Sequence, residues 1–204
     1  MQRGAVTWVL TVIRAGLPPA AKSFFRPFGE RMRVTFRRVV YALRFAGLNV
    51  RVDPTTWVAR KAILRCTGGG EVRIGKYCEI HDFAMLDAFG GSVYLGDYCS
   101  LNPFAILYGH GGTRVGNGVR IAAHAVVIPA NHNFGTTAPL HEAGVTAKGI
   151  TIEDEVWLGA GVRILDGVTI GHHSVVGAGA VVTRSIPSSC TAVGVPARAI
   201  PMQR

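Results

Sequence analysis

The sequence predicts an all-β solenoid built on a six-residue repeat, with one protruding loop and a helical N-terminal segment. Three observations predict it: the period of the aliphatic residues, the small residues set between them, and the distribution of glycine. From Ile152 every sixth position is aliphatic, through Leu158, Ile164, Ile170, Val176 and Val182. Four positions after each stands a mostly small or β-branched residue, as in Val156, Val162, Val168, Ser174 and Ala180. The same frame runs upstream through Val115, Ile121, Val127, then Leu95, Leu101, Leu107, and Ile74, Ile80, Leu86. Of 26 glycines, 22 follow residue 65.

A step of six is neither the 3.6-residue period of a helix nor a plain two-residue alternation. It fits one short strand and one corner. The aliphatic points inward, the small residue fills the tapering corner, and glycine takes up the turn dihedrals. Three such units close a triangular coil of about 18 residues, and stacked coils bury one continuous column of side chains.

The frame breaks in informative places. Three extra residues stand between Leu86 and Leu95, and two between Leu107 and Val115. From Val127 to Ile152 the step is 25 residues where six would serve, so a segment of about 133–149 leaves the prism as an external loop. Excursions from a rigid scaffold are where function concentrates. Asn131-His132-Asn133-Phe134 stands at the root of this one.

The chain has 204 residues and is 49% hydrophobic, enough for a substantial core and too apolar for a disordered basic tail. Its formal charge of +10 is unevenly placed. Residues 1–65 hold 13 Lys/Arg against Glu30 and Asp53, a net +11, whereas residues 66–204 hold nine against ten acids, a net −1. The change falls near Thr67-Gly68-Gly69-Gly70. It predicts a basic, partly helical segment over 1–65 and a repeat domain over 66–204. No uncharged run reaches the ~20 residues of a membrane span, and a cleaved secretory signal is disfavoured. Cys66, Cys78, Cys99 and Cys190 form no CxxC pair, which points to reduced thiols in the cytoplasm.

The segments Val156-Trp157-Leu158-Gly159-Ala160-Gly161, Val176 to Pro187 and Gly194-Val195-Pro196-Ala197-Arg198 resemble signatures of the hexapeptide-repeat acyltransferases. The likeness covers about residues 72–200. It is nearest to the galactoside and maltose O-acetyltransferases and to bacterial polysaccharide O-acetyltransferases. The resemblance implies a left-handed parallel β-helix, a homotrimer with active sites between subunits, and acetyl-CoA as donor. It implies His132 as the general base that takes the proton of an acceptor hydroxyl; imidazole, with a reference pKa of about 6.5, suits that work at cellular pH. It implies Asn102 as a hydrogen-bonding partner of the acceptor sugar, and Trp157 as a tryptophan facing the loop, although core packing is an equal reading of it. His141, within the loop, could reach a ligand or a neighbouring subunit. For CoA the resemblance implies Ala160, Ala178, Thr183, Arg184 and Arg198: small residues admit the pantetheine arm and cations meet the phosphates. The acidic residue that the simple-sugar enzymes use from their N-terminal region has no counterpart here, which points away from a simple galactoside acceptor. The carbonic anhydrases that share the fold need an H-x4-H pair, which this chain lacks, so no metal is expected.

Residues 31–47 read as an amphipathic helix ended by Gly47. Met32, Phe36, Val39, Val40 and Leu43 fall on one face, and Arg31, Arg33, Arg37, Arg38 and Arg44 towards the other. Two readings stand. The segment 1–50 meets an anionic membrane surface, or its apolar face packs on the solenoid while the arginines stay solvated. Nucleic acid is not expected, because the body shows no stacking aromatics or known binding module. Together these features predict an acetyl-CoA-dependent sugar O-acetyltransferase of surface-polysaccharide synthesis, cytoplasmic, with a peripheral place at the inner membrane face under the first reading. N-acetylation of a nucleotide-linked amino sugar and a non-catalytic β-helix scaffold are the alternatives.

Overall fold

The computed structural model describes residues 19–135, 137 and 139–202, with side chains from Met32 onward. The apolar run Val6–Ile13 and the side chain of Arg31 lie outside the described residues. Three sheets of short parallel strands form the faces of a triangular prism. The first face stacks Val50–Val52, Glu71–Ile74, Ser92–Leu95, Thr113–Val115, Ile150–Ile152 and Thr169–Ile170. The second runs from Trp57–Val58 through Glu79–Ile80, Ser100–Leu101, Arg120–Ile121, Trp157–Leu158 and Val175–Val176 to Cys190–Gly194, with Ala197–Pro201 added antiparallel at its end. The third runs from Ile63–Arg65 through Met85–Asp87, Ile106–Tyr108, Val126–Val127 and Arg163–Ile164 to Val181–Val182.

The hexad aliphatics meet in strict register. On the first face Val52, Ile74, Leu95, Val115, Ile152 and Ile170 pair in turn. On the third, Leu64, Leu86, Leu107, Val127, Ile164 and Val182 do the same. Ile80, Leu86, Leu101, Leu107, Ile121, Ile152, Leu158, Ile164 and Ile170 are fully buried. Each such side chain contributes about 1.5–3 kcal/mol by leaving water.

The corner residues stack as well. Between the first two faces, Thr56 Oγ1 donates to the Gly75 carbonyl at 2.6 Å, Cys78 Sγ to Gly96 at 3.0 Å and Cys99 Sγ to Gly116 at 3.1 Å. Small polar side chains thus satisfy carbonyls that the turn removes from the ladders. Between the second and third faces, Phe83, Phe104 and His124 hold positive φ. Their rings form a stack, Phe83 on Phe104 and Phe104 on His124, each at 5.0 Å and 4°. The body therefore does carry stacked aromatics, contrary to expectation, but they stack on one another. The third corner takes the extra residues that interrupt the frame. There coils approach so closely that a Cβ on Gly91 would stand 2.1 Å from the Gly109 carbonyl oxygen.

The solenoid begins earlier than residue 66. Val50–Arg65 is a complete first coil, in register with the second. Its hexads, Val52, Val58 and Leu64, carry the repeat, but the surrounding arginines assign the stretch to the basic segment on charge alone. A helix, α1, over Pro19–Arg44 precedes it, longer at its N-terminus than 31–47. After Arg44 the chain turns at Gly47, in the left-handed region with φ of 77°.

The packing of α1 overturns the expectation of an apolar docking face with solvated arginines. Tyr41 and Phe45 are buried against the first coil. Arg37 donates to the Thr55 carbonyl at 3.1 Å, and Arg44 to those of Ala59, Arg60 and Ala62 at 3.0, 3.2 and 2.7 Å. The Tyr41 hydroxyl donates to Thr56 O at 2.9 Å and accepts from Val58 N at 3.1 Å. Burial pushes that phenol above its usual range, so it stays a neutral donor. The edge of a first coil has carbonyls with no strand beneath them. Charged and hydroxyl donors on α1 satisfy them, and an apolar face could not.

Candidate active site

The loop leaves the prism at the third corner, after Val126–Val127, and returns at Ile150–Ile152. Its root is a two-rung antiparallel hairpin in which Asn131 faces Thr146 and His132 faces Val145. Asn133 fastens the next rung. Its main chain donates to Gly144 O at 3.1 Å, its side-chain amide donates to Ala143 O at 2.9 Å, and its amide oxygen accepts from Thr146 Oγ1 at 2.7 Å. The returning strand is clamped by Asp166, whose Oδ1 accepts from Lys148 N at 2.8 Å and Gly149 N at 3.0 Å. His132 therefore sits on a braced stem, and it is solvent-exposed. A base meant for an incoming hydroxyl needs that accessibility.

Asn102 lies at the second corner, between Ser100–Leu101 and Ile106–Tyr108. Its amide nitrogen donates to Ile121 O at 3.0 Å, so one donor serves the stack of coils. The width of the third face separates this corner from the root of the loop, about five extended residues or ~17 Å. One chain does not bring Asn102 and His132 together.

The third face lies between them, and its outward residues differ from those of the other two. The outward register is Ile63, Met85, Ile106, Val126, Arg163 and Val181, five of six aliphatic. On the first face the matching register is Arg51, Arg73, Tyr94, Arg114, Thr151 and Thr169. On the second it begins Trp57, Glu79, Ser100, Arg120, Trp157. A mostly apolar column on a solvent face, broken here by Arg163, is the mark of an interaction surface. The signal in the sequence is the paired aliphatic of the third-face hexads, as in Ile106-Leu107, Val126-Val127 and Val181-Val182, although Val175-Val176 on the second face is paired too.

Ala160 and Ala178 share the second corner, where Gly179 N donates to Ala160 O at 2.8 Å. The ring stack of that corner ends here: after Phe83, Phe104 and His124 the same left-handed position is held by Gly161 and Gly179. A Cβ on Gly179 would meet nothing within 4 Å. The result is a strip of backbone that is open at Gly179, while the Arg163 guanidinium lies against Gly161 and donates to its carbonyl. Arg198 belongs to the same end, on the hairpin Cys190–Gly194/Ala197–Pro201, opposite Val193. Thr183 and Arg184 follow Val181–Val182 and lie at the third corner, away from Ala160 and Ala178 within one chain. Trp157 points outward on the second face and is 55% exposed, so it is neither a core residue nor near the root of its own chain's loop. His141 is exposed in the loop, with Glu142 Oε1 at 3.4 Å from its Nε2; the described contacts do not join it to His132. Asp166 and the capping set of Arg37, Tyr41 and Arg44 carried no sequence signal of their roles.

The family description "Bacterial transferase hexapeptide (six repeats)" matches residues 149–184, the fifth and sixth coils with the clamp of the loop. Galactoside O-acetyltransferase of Lactococcus lactis subsp. lactis is 42% identical over 82 residues, 40% of this chain and 39% of that protein. The chain thus spans about two fifths of the length of that curated relative. Among solved structures, a variant of the N-acyltransferase AntD from Bacillus cereus, in complex with dTDP-4-amino-4,6-dideoxyglucose and coenzyme A, superposes with a TM-score of 0.67. It is 27% identical, over 79% of this chain and 88% of that one. The polySia-specific acetyltransferase NeuO superposes with a TM-score of 0.61 at 26% identity, over 76% of this chain and 68% of its own. The repeat, its register and these likenesses show a left-handed parallel β-helix similar to the bacterial hexapeptide-repeat transferases.

Proposed function

We propose that the protein is an acetyl-CoA-dependent O-acetyltransferase that acts on a sugar hydroxyl of a bacterial surface glycan. The observation that carries this reading is His132 on a braced, exposed hairpin at one edge of the aliphatic third face, with the Ala160–Ala178 strip and Asn102 at the other edge. Covering the third face with a second chain sets the His132 corner of one subunit against the second corner of its neighbour. Three chains close such a ring, and each interface then holds one site.

In that site the pantetheine arm lies along Ala160 and Ala178, and Thr183, Arg184 and Arg198 serve the donor's phosphate end. Asn102 holds the acceptor. The neutral imidazole of His132 takes the proton of the acceptor hydroxyl as its oxygen attacks the thioester carbonyl. The tetrahedral intermediate collapses to the acetyl ester, and the thiolate of CoA leaves and takes up the proton. Trp157, outward on the second face, and His141 at the loop are placed to meet acceptor from the neighbouring chain. We place the enzyme in the cytoplasm at the inner face of the membrane, where lipid-linked glycans are built. No metal takes part in this scheme.

A second reading, N-acylation of an amino sugar on a nucleotide carrier, is supported by the likeness to AntD with its bound amino-sugar nucleotide. Thiol release from acetyl-CoA against sugars, oligosaccharides and nucleotide amino sugars tests both. Product that loses acetate in mild base supports the ester. Base-stable product with an amino sugar supports the amide, and no acceptor-dependent release sinks both.

A further inference from the structure

The helix that closes the solenoid has a second surface that the fold leaves uncovered. Met32, Phe36, Val39 and Leu43 follow at steps of four, three and four residues, which sets them in one line along α1. They are 63%, 70%, 57% and 74% exposed. Arg37, Tyr41, Arg44 and Phe45 form the line that meets the first coil, so the apolar stripe faces away from it. Four large apolar side chains in a row exceed the scattered single residues of an ordinary surface.

The charges around the stripe identify what covers it. Arg33 and Arg38 flank it and are exposed, and residues 32–44 contain no acid. On one side Arg38 shares a cleft of about 220 Å³ with Arg51 of the first coil. A second copy pairing through this stripe would set arginines against arginines, with no carboxylate along residues 32–44 to answer them; the one acid of α1, Glu30, precedes the stripe. An anionic bilayer answers both features, since its acyl region takes the apolar side chains and its phosphates take the guanidinium groups.

We propose that α1 docks the protein on an anionic lipid surface, with Met32, Phe36, Val39 and Leu43 in the interface and Arg33 and Arg38 on lipid phosphates. The helix lies in the plane of the surface; no helix among the described residues is long and apolar enough to cross a membrane. Arg37 and Arg44 keep their bonds to the coil, so docking leaves the cap intact. The proposal gives a mechanism to the inner-face location and does not depend on the chemistry of transfer.

The test uses the full chain with vesicles of phosphatidylcholine alone and with added phosphatidylglycerol, read by co-sedimentation at two salt concentrations. Binding is expected to the anionic vesicles and to weaken with salt. It should fall about tenfold or more in Met32→Ser/Phe36→Ser/Leu43→Ser, and also in Arg33→Gln/Arg38→Gln. The same samples are assayed for acetyl transfer to a soluble acceptor, which the stripe variant should retain; loss of lipid binding and loss of chemistry are thus read separately. No binding by the wild-type chain, or binding undiminished in the stripe variant, overturns the proposal. So does self-association of the wild-type chain in place of vesicle binding, if the stripe variant abolishes it, because a second copy then covers the stripe.

Discussion

Arg44 donates to the carbonyl of Ala62 at 2.7 Å, and that bond ties a cation of the helix to the open edge of the first coil. The same guanidinium reaches Ala59 and Arg60. Arg44→Ala leaves these carbonyls without their donor and should lower stability by about 1–3 kcal/mol. Arg33→Ala, on the exposed side, should stay within ~0.5 kcal/mol. Urea unfolding of the two variants beside the wild type checks the contrast.

Gly91 has ordinary φ but no room for a side chain, because its Cβ would lie 2.1 Å from the Gly109 oxygen. Gly91→Ala must push two coils apart at the third corner. A loss of about 2–4 kcal/mol is expected, beyond the usual range of a surface change. Gly179→Ala meets no neighbour, so its cost comes from the left-handed φ alone, about 1 kcal/mol. Thermal unfolding of both gives the comparison.

Asp166 holds the returning strand of the loop through Lys148 N and Gly149 N, while its Oδ2 is buried without a hydrogen-bond partner. Asp166→Ala removes the clamp and should reduce kcat/KM roughly tenfold by loosening the stem of His132. Asp166→Asn keeps the accepting oxygen and should restore most of the rate. Equal losses in the two variants would show that the clamp is not what matters.

The thiols provide a further check. Cys78, Cys99 and Cys190 are buried, and Cys66 is partly so. The hydrogen bond to Cys78, with burial added to it, holds the Cys99 thiol well above its usual range, and burial pushes that of Cys66 up as well. Alkylation of native protein at pH 8, followed by mass spectrometry, should label Cys66 slowly and Cys99 and Cys190 only after unfolding.

The coils were legible because each hexad repeats one physical demand, a buried aliphatic and a small corner, and the demand is local. Ile152 to Val182 needs no tertiary information to be read. The first coil was hidden although Val52, Val58 and Leu64 obey the rule, because its arginines and scarce glycine match the helix before it. The role of α1 was illegible for a different reason. A hydrophobic pattern shows which face avoids water, but the open edge of a coil demands donors, and that edge exists only once the strands are stacked. His132 could be placed at the root of the loop from the break in the repeat. Its distance from Asn102 depends on which corner each occupies, and that follows from counting strands round the prism.

The claim that each site is shared between chains is tested most directly by complementation. His132→Ala should cost about 10²–10⁴ in rate if the imidazole is the base, and Asn102→Ala should weaken acceptor use. Co-expressed in equal amounts, the two variants assemble at random, and about one interface in four pairs an intact His132 with an intact Asn102. Acceptor-dependent thiol release by the mixture should therefore recover to about a quarter of the wild-type rate. A mixture no more active than the better single variant would contradict a shared site and return the whole reaction to one chain.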